Sequence, residues 1–432
     1  MNESSSNAPQ ESKKPGSSLW ARKKKLILTI AAVVVVFAAG FGVALMLTRK
    51  DSPKASNTNN SNQGGQRTDT PLSDFAAAYK DVCKEREVSF ENAPLAMDKL
   101  GYIIPMGQMS DGHVTPTDHV YLAPAVQSVP DNTYDVFMPA KGTVVAVGAM
   151  PAQYIGDKNQ QTAPEDHRVV IAHNCQYYSI FIHIHQLSDA LKQAVGTLQP
   201  NETKMVNVEL NAGDKLGKIG GSPFDWSLLD VNKRLTGFIT PSLYKGENWK
   251  IHVIDPLTVY TGAFRDQLIA KSLRSSEPYG GKIDYDVRGA LVGNWFEEGT
   301  NGYEGASMDR YWDGHLAVVP DHLDPASTVV SIGNWEGKAA QMAVKGKVDP
   351  SKVTKATGPV KYELMSISYM ANGKQYVPNY FAKGITQSQD GTFKGTIMFE
   401  VGDNEHLKVE KFPGKTAAQV SGFTSAAKTY VR

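Results

Sequence analysis

Cysteine is almost missing from this chain: Cys83 and Cys175 are the only two in 432 residues. That excludes a disulfide-built scaffold and a cysteine-based zinc finger. Net charge is almost missing as well, since 45 Lys+Arg oppose 44 Asp+Glu for a formal +1. A nucleic-acid protein would carry a basic excess, so no nucleic-acid partner is expected. Helical periodicity is scarce. Its place is taken by 38 Gly and 23 Pro, which mark many turns and hence short strands. Hydrophobic residues make up 41%, enough to build real cores.

Long apolar runs are missing after residue 48, but one precedes it. Leu26 to Thr48 reads LILTIAAVVVVFAAGFGVALMLT and holds no charge. As a helix it would reach roughly 35 Å, against a hydrocarbon core of about 30 Å. Arg22, Lys23, Lys24 and Lys25 precede it, while Arg49 and Lys50 follow. The heavier basic flank predicts a single-pass cell-membrane protein. Residues 1–25 would be a cytoplasmic tail, 26–48 the transmembrane helix, and the bulk extracellular. A cleaved signal peptide would have a shorter apolar region and a small-residue cleavage site. Residues 49–71 are rich in Ser, Asn, Gln and Gly and read as a flexible linker.

The bulk reads as mainly β, in two parts. Residues 72–275 open on a short helix with Phe75, Tyr79 and Cys83 on one face. They turn β from Tyr102 to about Tyr260 and close with a helix over 263–275. Cys83 and Cys175 are able to pair in an oxidising medium, but nothing in the sequence says whether they meet. After the loop Ser276 to Gly281, residues 282–432 are expected to form a second all-β domain, a sandwich or a barrel. Gly293-Asn294-Trp295 recurs as Gly333-Asn334-Trp335. A Gly-x-Trp near the first strand occurs in lipocalin-like barrels. Two tryptophans capping a core explain the repeat more cheaply.

Histidines supply the chemistry. Tyr177 to Leu187 reads YYSIFIHIHQL. Strand alternation turns Ile180, Ile182 and Ile184 one way and His183 and His185 the other. Two imidazoles so placed are able to grip one metal ion. Gly112 to Leu122 adds His113, Asp118 and His119. His113, Asp118, His119, His183 and His185 are therefore candidate ligands for zinc or another divalent metal. The plainer alternative is a groove lined with polar side chains.

A run of short motifs resembles the lysostaphin-type (LytM-like) zinc endopeptidases, with their duplicated-hybrid-motif β domain, over about residues 100–262. Pro139-Ala140-Lys141-Gly142-Thr143-Val144 resembles the family's A-x-x-G-x-V turn. Val170-Ile171-Ala172-His173 with Tyr177 resembles its V-I-x-H-x-x-x-Y hairpin. His183-Ile184-His185-Gln186-Leu187-Ser188 resembles Y-A-H-L-S, and Gly213-Asp214-Lys215-Leu216-Gly217 resembles G-D-x-V-x-x-G. Asp255-Pro256-Leu257-Thr258-Val259-Tyr260 resembles the closing D-P-L-x-Y. The resemblance implies a zinc held by a first His, an Asp four residues on, and the second His of a late H-L-H-F-E strand. The first His of that strand and the His of Y-A-H-L assist catalysis.

This chain departs from that pattern. Trp226 and Leu228 stand where the late strand should carry its histidines, and Thr117 stands four residues after His113. Only His185 matches a catalytic position directly. Asp230 matches a family carboxylate that supports structure. A hydrolytic zinc needs about three fixed ligands and an open site. The leading expectation is thus a degenerate, membrane-anchored relative that binds cell-wall peptide, a peptidoglycan or cell-surface partner, or that regulates cell-wall hydrolysis. One alternative is an active zinc metalloendopeptidase with a rearranged histidine site. Another is a ligand-binding module carried by the C-terminal β domain.

Overall fold

The computed structural model describes residues 74–150 and 165–432. Helix α1, Asp74–Tyr79, packs Phe75 edge-on against Tyr79 and Tyr178, and Tyr79 at a tilt against Tyr178. A disulfide joins Cys83 to Cys175 across 92 residues of chain, with the Cα atoms 5.1 Å apart. It pins the segment after α1 to the hairpin of the main sheet. The sequence alone left that pairing open.

The first unit is built from β1 (Leu100–Ile104), β2 (Val120–Pro124), β3 (Tyr134–Phe137), β4 (Gly142–Ala149), β5 (His167–Ala172), β6 (Tyr177–Ile184), β7 (Gln186–Leu187), helix α2 (Asp189–Val195), β8 (Thr203–Leu210), β9 (Lys215–Ile219), β10 (Phe224–Asp230) and β11 (Val253–Ile254). The main sheet runs β1-β2-β10-β6-β5-β4-β8, with β11 beside β10; β3-β9-β7 form a second sheet. Burial follows position. β10 lies between β2 and β6 and is buried along its whole length, so it reads FDWSLLD with little alternation. β8 is an edge strand and alternates exposed with half-buried residues, the pattern of a strand with one wet face. Helix α3, Gly262–Lys271, follows.

The C-terminal all-β part is a closed antiparallel barrel, not a sandwich. It comprises β12 (Gly293–Glu297), β13 (His315–Pro320), β14 (Thr328–Ile332), β15 (Ala340–Val344) and β16 (Val360–Ser366). Small strands β17 (Tyr369–Ala371), β18 (Lys374–Tyr376) and β19 (Thr386–Gln387) form a separate sheet. The barrel resumes with β20 (Phe393–Val401), β21 (His406–Pro413) and β22 (Lys428–Val431), and β22 closes back on β12. Inward residues such as Trp295, Leu316, Val330, Leu364, Phe399 and Leu407 fill the interior. Eight strands enclose a space that side chains can fill. Trp295 and Trp335 are both buried in this core. The guanidinium of Arg432 lies 4.0 Å from the Trp295 ring centre. Gly293 has φ +132°, and a Cβ there would collide with the Asp286 carboxylate and the Arg432 guanidinium, so this turn needs glycine. The small sheet packs Tyr376 and Ile385 against Tyr102, Ile104 and Tyr121 of the first unit.

The fold class and the localisation expected from the sequence need correction. The protein is mainly β with a closed eight-stranded barrel. No helix among the described residues is long and apolar enough to cross a membrane. The longest described α-helix has 10 residues, about 15 Å against the roughly 30 Å required. The tail 1–25, the apolar segment 26–48 and the linker 49–71 lie outside the described residues. The single-pass membrane protein is therefore not carried forward.

Candidate functional site

The loop before β2 folds back on itself: Gly107 N–H donates to Thr117 O at 2.9 Å, and Thr117 N–H to Gln108 O at 3.2 Å. This clamp delivers Asp118 and His119, both buried, to the end of β2. His113 sits on the loop with its ring 6.1 Å from that of His119. Burial pushes the His113 imidazole down to about 3, so it is neutral in the folded protein.

His183 and His185 part company at the end of β6. His183 has φ +70°, a left-handed conformation uncommon for a residue with a Cβ. The turn breaks strand alternation and swings its ring toward β5 and β10. Nδ1 of His183 lies 2.9 Å from Asp166 Oδ2, and Nε2 lies 3.7 Å from Asp225 Oδ2. His185 lies beyond the strand, with Nδ1 3.3 Å from Asp131 Oδ1. Burial lowers the His185 imidazole against the pull of Asp166 and Asp131.

Asp225 is the centre of the cluster, and sequence reasoning missed it. It pairs in register with Tyr121 of β2 and Ile182 of β6. Its Oδ2 faces His119 Nε2 at 3.4 Å. His119 Nδ1 in turn lies 3.2 Å from Asp118 Oδ1. Asp118 also accepts from the Trp249 indole N–H at 2.7 Å and lies 3.4 Å from Lys250 Nζ, which is 3.3 Å from Glu247. Burial works against the charge on each ring, and carboxylates outweigh it. Asp225 and Asp118 raise His119, while Asp225 and Asp166 raise His183 to about 9. Burial would raise Asp118, but Lys250 and His119 hold it well below the usual carboxylate range. Burial, helped by the nearby carboxylates Asp166 and Asp118, lifts Asp225 against the pull of both rings. His119 Nε2 and Asp225 Oδ1 make no hydrogen bond in this arrangement.

One sequence signal for Asp225 was available. Period-two alternation along β10 puts Asp225 and Ser227 on the face opposite Trp226 and Leu228. Trp226 does turn into the core. It stacks on Phe181 with ring centres 5.9 Å apart and donates its indole N–H to Ser179 Oγ at 3.0 Å. Ser179 Oγ also meets His173 Nε2 at 2.8 Å. Leu228 is wholly buried. Asp230 accepts from Gln176 at 2.9 Å and lies 3.1 Å from Lys233 Nζ, tying β10 to the turn before β6. Lys250, Trp249 and Asp166 carried no motif and were not legible.

The zinc set implied by the family resemblance does not fit these residues. The late strand offers an indole and a leucine, both in the core, where two imidazoles would be needed. Among the described residues, no group of three or more His, Cys, Asp or Glu side chains is placed to hold a metal ion.

Comparison with known proteins adds little. No protein-family model matches the chain. No curated protein matches it. Among solved structures, the antimicrobial peptidase lysostaphin from Staphylococcus simulans aligns at 9% identity over 77% of this chain and 91% of its own, with a TM-score of 0.17. A solution structure of lysostaphin aligns at 10% identity over 69% and 78%, with a TM-score of 0.11. This is a weak structural similarity to lysostaphin, and scores this low carry no argument about chemistry.

Proposed function

We propose that this chain is a lysostaphin-like β scaffold that binds cell-wall peptide, or regulates its hydrolysis, without cleaving it. The observation that supports this reading is the late strand. Trp226 and Leu228, which stand at the positions of the family's two imidazoles, are buried core residues, and the opposite face of β10 presents the carboxylate of Asp225 to His119 and His183. Two rings of the cluster are engaged by carboxylates on both nitrogens: His119 by Asp118 and Asp225, and His183 by Asp166 and Asp225. Water activation needs a metal with an open position or a base free to take a proton. A ring held positive between carboxylates is neither.

A second reading, an active zinc metalloendopeptidase with a rearranged site, has one observation in its favour. His119 Nε2 and His183 Nε2 face the same Asp225 oxygen, at 3.4 and 3.7 Å. The third reading places a ligand in the barrel. Its interior is taken up by Trp295, Phe399 and their neighbours, so nothing supports a small-molecule site there. Co-sedimentation of the full chain with purified peptidoglycan tests the proposal. Retention that added stem peptide competes away is expected; no retention above a control protein sinks it.

A further inference from the structure

The largely buried cluster contains a continuous line of ionisable groups: Asp118, His119, Asp225, His183 and Asp166. Successive contacts measure 3.2, 3.4, 3.7 and 2.9 Å. We infer that Asp225 stands in for a metal ion as the shared partner of His119 and His183, so that this cluster is assembled without any metal. The inference rests on the non-hydrolytic reading above and gives it a physical basis.

Geometry carries the argument. Each of the two rings has a carboxylate beside both of its nitrogens. A neutral imidazole has one donor and one lone pair, so one of its two carboxylates would face a lone pair. Only the doubly protonated ring points a proton at both. A metal ion requires the reverse, a neutral ring with its lone pair aimed at the ion. The charges close as well. His119, His183 and Lys250 supply three cations to Asp118, Asp225 and Asp166, and the fourth carboxylate, Glu247 beside Lys250, is pushed toward its neutral form by burial. The raised proton affinity of both rings agrees with this arrangement.

The backbone fixes the line at three points. Asp225 is held in a strand paired on both sides, Asp118 and His119 by the clamped loop, and His183 by its left-handed turn. The line also reaches the barrel. Lys250 Nζ sits 4.9 Å from the ring centre of Tyr303, whose ring lies tilted against His315 of β13 at 5.1 Å.

The test uses the full chain, labelled with 15N on histidine. Zinc is counted by atomic emission after dialysis against micromolar zinc, and ring protonation at pH 7 is read from the imidazole nitrogens. Expected are far fewer than one zinc per chain and two doubly protonated rings, unmoved by chelator. In Asp225→Asn, both rings should lose their second proton at pH 7 while zinc stays absent. One zinc per chain that disappears in His183→Ala would overturn the inference, and so would neutral rings in the unmodified protein. If Asp225→Asn does not fold, the two measurements on the unmodified protein still decide. Peptidoglycan retention is measured on the same preparation: bound zinc with retention defeats this inference alone, and no retention without zinc defeats only the binding proposal.

Discussion

His183 shows how one backbone angle redirects a site. Strand alternation would align it with His185; a φ of +70° turns it to Asp166 and Asp225 instead. The consequence is measurable. Burial opposes the charge on this ring, yet the two carboxylates lift it to about 9, above the ordinary imidazole value of about 6.5. A group whose folded value is raised contributes its full stability below about 6.5 and loses it as pH climbs through about 9. The melting-temperature gap between the unmodified chain and His183→Asn should therefore shrink steadily from pH 6.5 to pH 9.5. A gap that stays constant or widens over that range would show that the ion pairs contribute nothing. Trp226 offers a second residue-scale test. It is buried, stacked on Phe181 and bonded to Ser179, so Trp226→Ala should cost roughly 3–5 kcal/mol. Urea denaturation reads this directly, and a loss below about 1 kcal/mol would mean the indole is not the core anchor described.

At the scale of elements, the sequence made the strands visible and left their partnerships hidden. Short alternating runs marked β4, β13 and β14, because β-branched residues on a pleated, half-buried surface leave that trace. Pairing leaves no local trace. Trp249 bonds Asp118 from 131 residues away, and β12 meets β22 through Phe296 and Val431. Sandwich and closed barrel share the same alternation, so only the β12–β22 seam separates them. Asp225 was legible in principle from the period of β10, whereas Lys250 and Asp166 were not. The Cys83–Cys175 bond belongs to this scale too. It closes a loop of 92 residues, and its removal should cost on the order of 4 kcal/mol by loss of the constraint on the unfolded chain. Cys83→Ser with Cys175→Ser should lower the urea midpoint accordingly, leaving the far-ultraviolet spectrum unchanged. An unchanged midpoint would mean the strap adds no stability.

Across the whole molecule, two β bodies share buried contacts, and the buried charged line ends against the barrel. Arg432 holds that barrel shut. Its guanidinium donates to the carbonyls of Val292, Val287 and Ala290, pairs with Glu405 at 2.8 Å and covers Trp295. Removing it leaves the half-buried Glu405 carboxylate and three backbone carbonyls without this partner, so Arg432→Ala should destabilise the fold by about 2–4 kcal/mol. A midpoint equal to that of the unmodified chain would contradict the described closure. The central proposal is that this β scaffold holds cell-wall peptide without cutting it. The most direct measurement is the release of free amines from purified peptidoglycan by the full chain, with zinc added and with chelator added. The account predicts release at the background level in both. Sustained release with zinc that chelator stops would contradict it and establish the rearranged-site peptidase instead.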